Sequence, residues 1–86
     1  MMDQIGRSSR SVCTNIAEGY RKRKYPKHFT TKLTDSDAEN SETYVWLEFA
    51  YAVDYMNEVI YNRLIDENIE IGKLISHMID NPDRFL

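Results

Sequence analysis

A long uninterrupted stretch is the feature that most restricts how this chain can fold. No glycine or proline occurs from Lys27 to Tyr55, and Pro26 directly precedes the stretch. Within it, one set of positions repeats at spacings of four and three, as side chains on one face of an α-helix do. These positions are Phe29, Leu33, Ser36, Asn40, Thr43, Leu47 and Ala50. We therefore predict one helix over residues 27–55, with Pro26 at its start, that buries this seam.

Shorter helical patterns flank this helix on both sides. The repeating positions are Ile5, Ser9, Val12, Ile16 and Gly19 before it, and Ile60, Leu64, Glu67, Ile71, Leu74 and Met78 after it. Asn57 is placed to cap the last helix, and Asn81-Pro82 is placed to stop it. We predict helices over residues 4–24 and 58–80. The predicted fold class is all-α, an up-down antiparallel bundle of the four-helix-bundle type with three helices in this chain, forming one domain over residues 1–86.

A domain of 86 residues is too small to be stabilised easily by its own core, because it removes only about 60–65% of its unfolded surface from water. Cys13 is the single cysteine, and His28 and His77 have no partners at metal-ligand spacing. A second apolar stripe on the long helix would remain uncovered by two neighbours. It consists of Trp46, Phe49, Val53 and Met56. We expect self-association that buries this stripe.

Charge is divided unequally along the chain, although the net charge is only −3. Residues 1–33 contain eight Lys/Arg against two Asp/Glu, giving +6, whereas residues 34–86 contain three against twelve, giving −9. Opposite charges on the two parts of one chain favour contact between copies. A sequence pI of about 5.3 also differs from the strongly basic pI typical of nucleic-acid-binding domains.

Residues 4–20 read Gln-Ile-Gly-Arg-Ser-Ser-Arg-Ser-Val-Cys-Thr-Asn-Ile-Ala-Glu-Gly-Tyr. This run resembles the signature of a bacterial four-helix-bundle family encoded in intervening sequences of large-subunit ribosomal RNA genes. The strongest part of the likeness is Asn15, Ile16, Ala17, Glu18 and Gly19. Residues 25–55, with Glu42-Thr43 before Trp46-Leu47, are similar to the family's third helix, and Ile71-Gly72-Lys73-Leu74 is similar to a motif in its last helix.

The resemblance implies a homo-oligomer, often a pentameric ring, with no known enzymatic activity. Some members of the family serve as accessory subunits of diversity-generating retroelement reverse transcriptases and contact nucleic acid. Family members usually carry one more helix before the Gln-Ile motif, whereas this chain starts almost on that motif. We therefore expect a shortened member that lacks the first helix, or a fourth helix supplied by another chain.

The sequence contains no arrangement typical of catalysis. No nucleophile–base pair or Glu-x-x-His pattern is present, and Asp35, Asp37, Glu39 and Glu42 fit a solvated acidic surface better than a metal site. We predict no enzymatic activity, no cofactor, no metal and no small-molecule substrate. No run approaches the ~20 apolar residues that span a membrane, and the N-terminal residues lack an apolar signal core. These features predict a cytoplasmic protein.

A basic cluster near the end of the first helix allows two interpretations. It comprises Arg21, Lys22, Arg23, Lys24 and Lys27, followed by His28. Tyr20, Tyr25 and Phe29 are interleaved, so the cluster could bind nucleic acid through phosphate contacts and base stacking. Alternatively, its cations complement the helix C-terminus or pair with acidic residues of a neighbouring copy. The main hypothesis is a self-associating bundle, and the alternative is a nucleic-acid-binding accessory subunit that uses residues 21–28.

Arg7, Arg10, Asn15 and Glu18 lie on or near one face of the predicted first helix. They could form a ligand or oligomer contact. We favour a structural interpretation, in which Asn15 and Glu18 belong to a buried polar layer that faces Asn40 and Thr43. The small residues Ala17 and Gly19 predict a close helix contact that leucine at either position would overpack.

Overall fold

The computed structural model describes residues 2–84, and three helices account for most of them. Helix α1 spans Met2–Arg21, α2 spans Pro26–Ala52 and α3 spans Glu58–Asp80, followed by a single 3-10 turn at Pro82–Arg84. No strand occurs in this part of the chain, so the predicted all-α fold is confirmed. Over the same residues, none of the helices is long and apolar enough to cross a membrane.

Helix α2 is the centre of the structure, and α1 and α3 both pack along it. Ser36 contacts Val12 and Thr43 contacts Ser8, so residue numbers rise along α2 as they fall along α1. The up-down antiparallel arrangement is therefore confirmed. Helices α1 and α3 scarcely touch each other within the described residues. The result is a flat layer of 44 × 20 × 13 Å, open along one side where a closed bundle would have another helix.

The long seam of α2 supplies most of the buried surface. All seven positions predicted from the spacing are buried, from Phe29 to Ala50. Phe29 and Leu33 form a core cluster with Met78 of α3, and Ile79 packs against it. Each large apolar side chain removed from water in this way stabilises the fold by about 1.5–3 kcal/mol. The seam is apolar at its ends and polar in its middle, as its sequence indicates.

Helix boundaries were predicted correctly for α3, whereas α1 begins two residues earlier than predicted and both α1 and α2 end three residues earlier. Asn57 caps α3 by accepting a hydrogen bond from Ile60 N at 2.9 Å. Helix α1 ends at Arg21 rather than at 24. The reason is the reversal before Pro26: Lys22 N is shared between two carbonyl oxygens, and Tyr25 N bonds Lys22 O at 2.8 Å, which closes a tight turn. Residues 22–25 are therefore turn, not helix.

Helix α2 ends at Ala52 rather than at 55, with Val53 as its C-cap. Tyr55 N bonds Ala50 O at 2.8 Å and Asp54 N bonds Tyr51 O at 3.1 Å, the pair of bonds that defines a Schellman motif. Asp54 has φ 64°, the left-handed conformation that this motif requires. This ending was not predicted from the residue types, because the left-handed position is usually occupied by glycine.

Replacing Asp54 by Gly should raise the free energy of unfolding by about 1 kcal/mol, because glycine adopts the left-handed conformation without a steric penalty. Asp66→Gly is the control, since glycine inside a helix should lower the same quantity, by about 0.3 kcal/mol relative to aspartate. Urea unfolding followed by circular dichroism measures both. A lower stability for Asp54→Gly would contradict the assigned helix ending.

Candidate interaction surfaces

A buried polar seam joins the three helices at mid-length. Its members are Ser8 of α1, Ser36, Asn40 and Thr43 of α2, and Asn68 of α3. Asn40 Nδ2 donates to Asn68 O at 3.0 Å, and Asn68 Nδ2 donates to Asn40 O at 3.0 Å and lies 3.2 Å from Asn40 Oδ1. The two amides thus satisfy each other and the helix carbonyls. Such a reciprocal pair fixes the register of α2 on α3, since a one-turn slip would leave both amides unpaired.

Hydrogen bonds from hydroxyl groups fix the register of α1 on α2 in the same way. Thr43 Oγ1 lies 2.6 Å from Ser8 Oγ and 2.9 Å from Glu39 O, and Ser8 Oγ lies 3.0 Å from Gln4 O. Ser36 Oγ donates to Val12 O at 2.9 Å. Buried hydroxyls that are bonded in this way cost little stability, and they hold α1 close to α2.

An apolar groove runs between α1 and α3, with the seam of α2 as its floor. It encloses a cavity of about 250 Å³. Its lining is formed by Ile5, Ser9, Val12 and Cys13 of α1, Asn40, Thr43 and Leu47 of α2, and Leu64, Glu67, Asn68 and Ile71 of α3. Ile16, Ala17 and Tyr20 line a further concave surface along α1 together with Cys13. The groove has walls from two helices and a floor from the third.

The position of the α3 stripe corrects the sequence analysis. Met78 is its only buried member, whereas Ile60, Ile71 and Leu74 are exposed. Apart from Met78, the buried residues of α3 are Asn68 and Ile75, which lie further round the helix than the predicted stripe. Leu64, Glu67 and Ile71 of the predicted stripe line the groove. The apolar spacing of α3 is therefore directed towards the open side of the layer.

A second apolar surface, the ridge, lies on α2. It comprises Trp46, Phe49 and Val53, three of the four residues predicted to need cover. Phe49 and Val53 are exposed, and the ring of Trp46 packs edge-on against Phe49 with centroids 6.3 Å apart. Phe49 follows Leu47 of the groove floor by two residues, about 200° around the helix. The ridge and the groove are therefore on opposite sides of α2.

The predicted basic cluster is brought together by the turn between α1 and α2. We call Arg21, Lys22, Arg23, Lys24 and Lys27 the basic turn, and all five are exposed. The Arg23 guanidinium lies 4.2 Å from the centre of the Tyr20 ring and donates to Tyr20 O at 3.0 Å. None of the five forms an ion pair with a described carboxylate. Their charge is therefore available to an external partner.

Comparison with known families agrees with this architecture and with the signature in α1. Residues 1–77 match the family described as 23S rRNA-intervening sequence protein. The chain belongs to this family. Neither curated proteins nor solved structures give a match. The resemblance of the Gln-Ile and Asn-Ile-Ala-Glu-Gly motifs is thus confirmed at the level of the family.

The structure assigns different surroundings to the five signature residues 15–19 of the intervening-sequence protein family. Asn15 and Ile16 are half-buried, and Ala17 is exposed beside the groove. Glu18 Oε2 pairs with Lys32 Nζ at 2.9 Å, and this hydrogen-bonded cation holds the pKa of the Glu18 carboxyl below its usual range. Gly19 is buried, and a Cβ there would lie 3.1 Å from Lys32 Cβ. Gly19 therefore lies at a close contact between α1 and α2.

Two expectations about this signature were wrong. Asn40 and Thr43 do lie in a polar layer, but they bond Asn68 and Ser8 rather than Asn15 and Glu18. Glu18 lies towards the outside, where a lysine of α2 reaches it. Ala17 is not at the close helix contact, because it lies two positions before Gly19 and therefore about 200° away around α1.

Arg7 and Arg10 are exposed on α1, about 20 Å along the helix from Arg21. The Arg10 side chain lies back over Gly6, where a Cβ would be 3.1 Å from Nη1. Nearby, Gln4 Oε1 is buried with no hydrogen-bond partner among the described residues. The structure therefore does not join Arg7 and Arg10 to the basic turn.

Sequence reasoning missed Ser8 and Asn68 as members of the polar seam. A signal for Asn68 was present, since a buried Asn40 requires a partner and α3 carries only two asparagines, Asn62 and Asn68. Gly72 belongs to the same contact, because a Cβ there would lie 3.2 Å from Asn40 Nδ2. The glycine of the Ile71-Gly72-Lys73-Leu74 motif therefore leaves room for the Asn40 amide.

Proposed function

We propose that this intervening-sequence protein is a self-associating, non-enzymatic helical scaffold in which the ridge of one copy packs into the groove of the next. The observation that carries the proposal is the open apolar groove between α1 and α3. Exposed apolar surface of this kind marks an interaction site in a soluble domain. The family resemblance gives a ring of five copies as the expected assembly, and the expected location, taken from the sequence, is the cytoplasm.

The shape of the chain favours a second copy as the occupant. The groove is concave and lined by aliphatic side chains such as Leu64 and Ile71, and the ridge is convex and contributes Phe49 and Val53. Because the ridge and the groove lie on opposite sides of α2, the ridge of one copy cannot pack into the groove of the same copy. A contact between unlike surfaces is heterologous and repeats from copy to copy, which produces a ring when the rotation closes.

Ile71→Asp tests the groove, and Ile69→Asp is its matched control. The two isoleucines lie on the same helix and are almost equally exposed, at 39% and 41%, but only Ile71 lines the groove. An unpaired carboxylate buried in the contact costs about 3 kcal/mol or more, so Ile71→Asp should weaken association at least about a hundredfold. Ile69→Asp should retain the wild-type mass by light scattering, with equal helicity in both variants.

Phe49→Asp should abolish association from the ridge side. Mixing it with Ile71→Asp in about 1 M salt, where contacts between charged surfaces are screened, should then form a heterodimer and nothing larger, because the mixture contains one intact groove and one intact ridge per pair. A wild-type chain that remains at its monomer mass of 10.2 kDa at micromolar concentration contradicts the proposal. So does an Ile69→Asp variant as defective as Ile71→Asp, since that result would point to general damage.

Nucleic-acid binding by the basic turn is the second candidate function. It is favoured by five exposed cations that form no ion pair with a described carboxylate, and by the neighbouring exposed rings of Tyr20 and Tyr25. A ring would place several copies of this turn near one another and so increase the local positive charge. Binding of single-stranded RNA should then weaken steeply with salt, because each neutralised phosphate releases counterions.

A further inference from the structure

The end of the molecule opposite the basic turn carries negative charge and aromatic rings. It lies where α2 passes into α3, and we call Glu48, Asp54, Glu58, Tyr51 and Tyr55 the acidic end. Both tyrosines are exposed, and the ring of Tyr51 stacks on that of Tyr61 with centroids 4.3 Å apart. Glu48 lies three residues before Tyr51, on the same face of α2. Burial raises the pKa of Tyr61, and the Glu48 carboxylate raises it further.

Within the described residues, the charged side chains of the two ends form no ion pair with one another or with other side chains. None of the three carboxylates forms an ion pair with a described cation. Asp80 is the last residue of α3 and Asp83 lies just after it, at the same end of the molecule as the basic turn. Neither carboxylate forms an ion pair with the basic turn. The basic turn and the acidic end are separated by the length of α2, about 40 Å, which is several times the Debye length of about 8 Å at physiological salt. The described side chains of one copy therefore do not neutralise the charge at either end.

We propose that the basic turn of one copy docks on the acidic end of a second copy, a contact distinct from the ridge and the groove. The chemistry of the two surfaces is complementary in two respects. Lysine and arginine side chains face carboxylates, and the exposed faces of Tyr51 and Tyr55 can accept a cation, as the Tyr20 ring already does from Arg23. A network of several such pairs contributes where an isolated exposed pair would not.

The contact is heterologous, because each copy offers one surface of each kind. It extends the proposed self-association but does not rest on the groove. The two contacts also differ in their response to salt. Charge pairs are screened when the Debye length falls to about 3 Å near 1 M salt, whereas apolar contacts are not. Salt therefore separates the end contact from the contact of ridge and groove.

Three variants test the end contact by sedimentation velocity. Lys22→Glu/Lys24→Glu disables the basic turn, Glu48→Lys/Glu58→Lys disables the acidic end, and Arg7→Glu/Arg10→Glu is a control with the same change in charge as the first. At about 10 mM salt, where the Debye length is about 30 Å, wild-type and control should exceed their mass at 1 M by at least about twofold. Each end variant alone should keep its 1 M mass at both salt concentrations.

An equimolar mixture of the two end variants should again grow at low salt, because it contains one intact basic turn and one intact acidic end. If either end variant alone keeps the wild-type size at low salt, or if the mixture does not grow, the end contact is wrong. The same holds if the wild type binds a labelled single-stranded RNA through Lys22 and Lys24 while showing no salt-dependent growth. If the wild type assembles equally at both salt concentrations, only the end contact is overturned. If the wild type is monomeric at both, the proposed function is overturned as well.

Discussion

Asn68→Leu should lower the free energy of unfolding by about 2–4 kcal/mol. The substitution removes the amide that Asn40 bonds, and it leaves the Asn40 side chain buried without its partner at the centre of the molecule. An unsatisfied buried polar group costs about 1–3 kcal/mol, and the lost bonds add to this. For a domain whose total stability is about 4–13 kcal/mol, the loss is large.

The double variant Asn40→Leu/Asn68→Leu should recover most of that loss and lie within about 1 kcal/mol of the wild type. Replacing both partners by apolar groups removes the desolvation cost that the single variant suffers. Urea unfolding at one fixed protein concentration compares the three proteins, because self-association also adds to apparent stability. If the single and double variants are equally unstable, the amide pair is not the source of the effect.

Gly19→Leu should lower the free energy of unfolding by about 1–3 kcal/mol. A Cβ at this position would lie 3.1 Å from Lys32 Cβ and 3.5 Å from Phe29 O, so a larger side chain must push α1 away from α2. Part of the cost is offset, because leucine is a better helix former than glycine. The displacement should also loosen the nearby Glu18–Lys32 pair.

Ala17→Leu is the matched control, since the same side chain is introduced two residues away on the same helix. Ala17 is exposed beside the groove, and a surface substitution of this kind usually changes stability by less than about 0.5 kcal/mol. Thermal unfolding of the two variants therefore distinguishes the faces of α1. Equal destabilisation would mean that both residues face α2, and no change in either would mean that Gly19 faces solvent.

The fold was largely predictable because its helices follow from the spacing of residues that are close together in the sequence. The seam of α2 from Phe29 to Ala50 was identified in full, since its spacing of four and three has no competing interpretation in a stretch without Gly or Pro. The limits of α3 were also correct, because Asn57 and Pro82 are strong local signals. The ends of α1 and α2 were less predictable, because Lys22 and Asp54 adopt turn conformations that their residue types do not indicate.

The candidate surfaces were predicted less completely than the helices. The basic turn was recognisable because its cations are adjacent in the sequence, and their side chains cannot separate far. The groove was not recognisable, because it depends on how α1 and α3 are rotated about α2. Periodicity shows that Leu64 and Ile71 share a face of α3, but it cannot show whether that face meets α2 or an open space.

What the sequence determined by itself is therefore the set of elements: three helices, their order, the buried face of α2 and the family signature in α1. These follow from interactions between residues that are close along the chain. The tertiary structure alone decided the partners: Asn68 for Asn40, Ser8 for Thr43, and open space rather than α2 for the apolar stripe of α3. The physical reason is that rotating a helix by one residue position exchanges one neighbour for another at almost no local cost, and only the packing of all three helices selects between them.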